Sequence, residues 1–337
     1  MANDLEPVDP TGATGGILDK IKEVIGAVNL PKIVAGPAGE AISRLIAGGA
    51  DIPAAWLEQR AKAIRNKTDG QTLVSKTLAG AAAELVRNDP ALVQRAADAF
   101  IAKEIRHQHN RETIAVKAIE HLKETPDAET IKPDDDWLNV FARYAEDASS
   151  ERLQDLWARI LSGQLKRPKT FSLSTLRFAA ELDEETATLF EKWSTNVVDA
   201  DFIPFIPNEG AGFTELIRLE DAGLITGVTG QINKMYKDPS LPEEIKALPL
   251  HFAFKEYDLV VMVMRPFNLN LRAALLTRVG KEIYEITKAE DSPDAIQSFA
   301  NNFPKEQVQN IVRIKRSDRT THSLWSKPPE THPNPAS

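Results

Sequence analysis

Apolar positions in this chain recur mostly three and four residues apart, the period of a helix seated on a core. The densest run lies at the centre. Trp137, Phe141 and Tyr144 stand at i, i+4 and i+7, so they share one helical face. Ala148-Ser149-Ser150 then interrupts the pattern, and a serine hydroxyl can accept an orphan N–H at a helix start. Leu153, Leu156, Trp157, Ile160 and Leu161 follow at i, i+3, i+4, i+7 and i+8. Gly163 is expected to close that helix as a left-handed residue. Pro168 forbids unbroken helix through the basic loop 164–170. Ser172 caps a predicted short helix with Leu173, Leu176 and Ala180, and Asp183 caps another with Ala187, Phe190 and Trp193. Burying one large apolar side chain contributes roughly 1.5–3 kcal/mol. Trp137, Phe141, Leu153, Leu156, Trp157, Ile160, Leu176 and Phe190 are therefore the predicted structural core.

Before that centre the pattern predicts more helix. Residues 1–16 read as a disordered lead, and 17–28 as a short amphipathic helix. Residues 33–47 are rich in Ala and Gly. They read as helix packing through small residues, with a membrane-acting segment over 17–49 as the sharper alternative. Helices are predicted over 51–67, 72–87 and 91–124. The polar middle of the last, 103–112, reads as a solvated face. His107 and His109 lie there, but residues two apart on a helix point about 200° apart, so they cannot ligate one ion together. Arg106 and Arg111 are candidates for an exposed contact surface, as are Lys166, Arg167 and Lys169 in the basic loop. A linker covers 125–133. Asp134-Asp135-Asp136 follows, where acidic residues suit a first helical turn.

The strings Asp136-Trp137-Leu138, Leu153-Gln154-Asp155-Leu156-Trp157-Ala158-Arg159-Ile160-Leu161-Ser162-Gly163 and Phe171-Ser172-Leu173-Ser174-Thr175-Leu176 occur in that order. In them the chain resembles the bacterial domain-of-unknown-function family 2806, over about residues 30–290. Ser162 and Gln164 stand where that family has Ala and Glu, and Lys169-Thr170 where it has Gly-Ser. The family implies no established activity. A looser similarity, in the LWARILSG and LDEETATLF layout, is to the Abi-alpha abortive-infection family.

The remainder mixes helix and strand. Residues 201–208 carry two prolines in an apolar run and suggest an edge segment. Phe213, Leu216, Ile217 and Ala222 mark a helix that stops at Gly223, with Leu224 as the apolar residue of a Schellman motif. Residues 226–249 look like loop. Residues 251–254 and 259–264 read as strands, and Asn268-Leu269-Asn270 as a hairpin turn. Thr277 caps a helix with Val279, Ile283 and Ile286. This order resembles a winged helix-turn-helix. Its reading helix would carry Glu215, Glu220 and Asp221 against Arg218 alone, a poor match to phosphates.

Composition narrows the function. A formal charge of −8 and 42% hydrophobic content fit a globular chain with no general taste for polyanions. Cys 0 removes disulfides, thiolate metal sites and cysteine nucleophiles. Phosphate-loop, dinucleotide, nucleophile-elbow and zinc-protease motifs are missing. No signal peptide or spanning helix is expected, which points to the cytoplasm. The expected fold is mostly α, close to all-α, with a small winged-helix-like α+β part. Its predicted regions are 17–124 (helical), 134–200 (helical core), 201–314 (α+β) and a disordered tail over 315–337. The expected function is a non-enzymatic interaction protein without cofactor or metal. It would bind a protein partner or a second copy, with phage defence implied by the Abi-alpha similarity. A nucleic-acid-binding regulator and a membrane-acting effector are the alternatives.

Overall fold

The computed structural model describes residues 36–47, 90–124, 129–239, 242–287 and 290–328. The predicted elements over 17–28, 51–67 and 72–87 lie outside them. The chain divides after Glu181 into two compact units. Phe190 lies in the second unit.

Unit 1 holds five described helices: α1 Pro37–Ile46, α2 Pro90–Lys123, α3 Asp135–Ala145, α4 Glu151–Lys166 and α5 Leu173–Glu181. Local chemistry starts several of them. Asp134 accepts hydrogen bonds from the Asp136 and Trp137 amides at the head of α3. Ser150 accepts from Leu153 N at the head of α4, and Ser172 from Thr175 N at the head of α5. α4 packs along the second half of α2, and α3 packs on α5. The rings interlock where these helices meet. Trp137 stacks on Phe141 with centroids 5.1 Å apart, and Trp157 meets Phe141 edge-on at 5.2 Å. Trp137 Nε1 donates to the Phe171 carbonyl at 2.8 Å, so its polar edge is satisfied inside the core. Ile160 and Leu176 are fully buried.

Two expectations fail in this unit. Leu153 and Leu156 are half-buried, because α4 turns Gln154, Trp157 and Ala158 inward instead. Gly163 does not end α4, which runs three residues further. A Cβ at Gly163 would lie 2.8 Å from Phe171 Cε2, so this glycine makes room for a buried ring. The left-handed residue is Lys169, at φ 66°, in the turn after Pro168.

Unit 2 contains α6 Glu184–Ser194, α7 Gly210–Asp221, α8 Arg278–Tyr284 and α9 Pro293–Asn301. Its strands are β1 Phe202–Pro204, β2 Ile225–Thr226, β3 Asn233–Lys237, β4 Ala247–Ala253, β5 Tyr257–Met264, β6 Asn268–Leu276, β7 Val308–Lys315 and β8 Thr321–Ser326. One antiparallel sheet runs β1-β6-β2, with β3 also on β6. A second runs β4-β5-β7-β8. Close to all-α is therefore wrong for this half. Phe252, Phe299 and Phe303 pack ring on ring at 5.1–5.5 Å in its core.

Asp183 caps α6 by accepting from Thr186 N, and Thr277 caps α8 by accepting from Gly280 N. α7 ends as expected. Leu224 N donates to Leu219 O and Gly223 N to Glu220 O, with Gly223 at φ 79°.

Three stretches differ from their sequence reading. Residues 226–249 contain β3 and the start of β4, not loop alone. Along β3 the exposed positions are Asn233, Met235 and Lys237 and the part-buried ones Lys234 and Tyr236, so polarity does not follow burial and the strand period is hidden. Asn268-Leu269-Asn270 lies inside β6, paired in that order with Lys237, Tyr236 and Met235, not at a turn. β8 lies within 315–337, read as disordered tail. It is an edge strand, Thr-His-Ser-Leu-Trp-Ser, that pairs with β7 and packs Leu324 and Trp325 against the core.

Candidate interaction surface

α2 organises the surface. Its second half is buried under the α3–α4 junction, and its polar middle follows. His107, Asn110 and Arg111 are only 3%, 2% and 7% exposed, so this is no solvated face. The reason is a set of complementary groups at the end of α3. Arg111 donates from Nη1 to Glu146 Oε2 at 2.6 Å and from Nη2 to Gln108 Oε1 at 2.9 Å. Asn110 donates to the Glu146 carbonyl and accepts from Gln154 Nε2. His107 Nε2 lies 3.1 Å from Asp147 Oδ1. Buried polar groups persist where they are hydrogen-bonded, and only Arg111 Nε among these side-chain atoms is buried without a partner. Arg111 is thus a structural residue, which corrects its place among the exposed candidates.

Four turns along α2, His121 Nε2 lies 2.9 Å from Asp155 Oδ1. Arg159 Nε donates to Asp155 Oδ2 at 3.0 Å, and Lys166 Nζ donates to the His121 carbonyl at 2.9 Å. Burial pushes the Lys166 ammonium below its usual pKa, against the pull of Glu124. Partial burial pushes the Asp155 carboxyl up, but bonding from His121 and the Arg159 charge outweigh it, so its pKa lies below 3.8. A depressed carboxyl pKa stabilises the fold above the unfolded value and stops doing so as pH falls below it. Asp155→Asn should therefore cost about 1–2 kcal/mol at pH 7, on the scale of a charged hydrogen bond. The gap from the parent should close as the pH falls below about 3.8. Urea midpoints from pH 7 to pH 3 measure this; a gap as wide at pH 3 as at pH 7 would contradict the assignment.

The remaining basic candidates do not converge. Arg106 is exposed on α2, Lys166 is half-buried in α4, and Arg167 and Lys169 are exposed beyond it. Lys166 sits beside His121, about 22 Å along α2 from Arg106 at 1.5 Å per residue. Among the described residues, no group of three or more His, Asp or Glu side chains is placed to hold a metal ion.

Sequence reasoning missed a different surface. Residues 94–106 of α2 are exposed on every side. Phe100, Ile101 and Ile105 are 53%, 55% and 63% exposed. Phe100 stands one heptad before His107, which stands one heptad before Ile114, so the buried stripe of α2 continues into water. The heptad spacing was visible in the sequence; the lack of cover over its first part was not.

Residues 94–201 match the model of a family described as "Protein of unknown function (DUF2806)". This segment belongs to that family. The DUF2806 segment is shorter than the 30–290 expected, and it begins within the exposed half of α2. Searches of the curated proteins and of the solved structures returned no match. No helix among the described residues is long and apolar enough to cross a membrane. The apolar face of α1, including Ala41, Ile42 and Leu45, is already buried, and α1 packs on α2 and α3.

Proposed function

We propose that this chain is a non-enzymatic interaction protein that self-associates through the first half of α2. One observation carries the reading: Phe100, Ile101 and Ile105 stand exposed within six positions of one helix. The other exposed large apolar residues among the described residues, Ile131, Leu173, Met235 and Ile245, are scattered singly, and such residues need no explanation. A helix free on all sides is marginal in water, since packing of an apolar face supplies most helical stability. A second copy fits because a twofold pair needs only one self-complementary patch. Six such side chains across the pair, each a little over half exposed, would contribute roughly 5–10 kcal/mol gross. That compares with an association cost of roughly 4–15 kcal/mol.

Light scattering behind size exclusion tests the reading on the full chain. The parent should run as a dimer or larger, and Phe100→Lys with Ile105→Lys should run as a folded monomer. A monomeric parent that the same substitutions destabilise would overturn it, since another part of the chain would then cover the patch.

The nucleic-acid reading loses support from α7. Glu215 accepts from Lys192 and Trp193 of α6, Arg218 pairs with Glu185, and Glu220 caps the amides of 227–229. The side chains that would face phosphates are acidic or already paired.

A further inference from the structure

Unit 2 carries a cleft of about 190 Å³ that the self-association reading leaves unused. Its walls include Trp193, Phe205, Pro207, Phe254 and Phe299, with Asn302 at the polar edge. Small-molecule sites usually measure roughly 300–1,000 Å³, so this one suits one or two side chains of a peptide. The walls are held in place. Trp193 Nε1 donates to Glu215 Oε2 at 2.8 Å, and Lys192 fixes the same carboxylate. Phe205 adopts φ 50°, a left-handed conformation that is unfavourable for a non-glycine residue. In return its ring sits 5.4 Å from Phe299 and 5.8 Å from Phe303. A fixed aromatic and proline surface is what polyproline II segments dock on, because their backbone is already ordered.

We propose that this cleft holds the chain's own proline-rich segment, residues 328–337. That stretch reads Pro-Pro-Glu-Thr-His-Pro-Asn-Pro-Ala-Ser, and residues 329–337 of it lie outside the described structure. The path starts in the right place. β8 packs on α9, the helix whose Ala295, Ser298 and Phe299 form one wall. Lys327 N then donates to the Gln309 carbonyl at 2.9 Å. Gln309 is seven residues past Asn302, so no more than about 25 Å separates them. Ten residues of polyproline II span about 31 Å, enough to reach. A short tether also gives the segment an effective concentration near millimolar, so a weak site suffices.

The test uses the full chain with fluorinated tryptophan, the Trp193 resonance being assigned with Trp193→Phe. Replacing Pro329, Pro333 and Pro335 with alanine together should shift the Trp193 resonance and leave those of Trp137 and Trp157 in place. Adding a synthetic peptide of residues 327–337 at millimolar concentration should return the Trp193 resonance to its original position. The parent should not respond to that peptide. An unmoved Trp193 resonance in the triple variant overturns the proposal. So does a parent that responds to an unrelated proline-rich peptide, which would mark the cleft as a site for a partner.

Discussion

Replacing Trp157 with alanine should destabilise unit 1 by about 3–5 kcal/mol, the range for deleting a large buried ring. Trp157 is 1% exposed and joins two elements. Its ring meets Phe141 edge-on at 5.2 Å and stacks on Tyr144 at 6.3 Å, tying α4 to α3. The neighbours cannot easily collapse into the space. Trp137 is pinned by its hydrogen bond to Phe171 O, and Phe141 is held between Trp137 and Trp157. Urea unfolding followed by circular dichroism reads the loss as a lower midpoint at unchanged slope. Leu153→Ala is the control. The same apolar pattern predicts both residues in the core, but Leu153 is half-buried, so its loss should be well below that of Trp157. Equal losses would mean that this part of unit 1 does not pack as described.

Replacing Arg111 with methionine should cost about 3 kcal/mol, the low end for breaking a buried ion pair. The low end applies because the Glu146 side chain keeps 24% of its exposure, against 9% for Arg111. Most of the cost comes from what is left behind. Glu146 would lose its guanidinium partner, and Gln108 Oε1 would lose its donor. Changing Glu146 to methionine in the same chain should therefore recover part of the loss, since removing both charges together is far cheaper than removing one. A surface contact residue predicts another outcome. Substitutions away from buried features change stability by no more than about 0.5 kcal/mol. Arg111→Met at that level would return Arg111 to the list of surface candidates.

The local signals were legible wherever one residue type does one job. Ser150, Asp183 and Thr277 each accept the amide three residues on, and Gly223 and Leu224 form the helix end their order implies. These depend on a hydroxyl, a carboxylate or a missing Cβ within a few residues, so no distant part of the chain is needed. Gly163 shows the limit. A glycine after an apolar run fits a helix end as well as a close approach, and only the position of Phe171 decides between them.

The interaction surface was less legible than the fold. Arg106 and Arg111 look alike in sequence, five residues apart in a polar run. The second meets Glu146 and is buried, and the first is exposed. Charge tells that a residue needs water or a partner, but not which it finds.

The sequence by itself determined the helical centre, its caps and its aromatic core, because period and capping act over one or two turns. It also placed residues 94–201 in the DUF2806 family. Tertiary structure alone decided how the strands of unit 2 pair, and it alone revealed the edge strand β8 on β7. It also decided that the polar stretch of α2 is buried while the apolar stretch before it is exposed. Burial depends on what lies opposite, and along α2 that is set by where α3 ends and α4 begins.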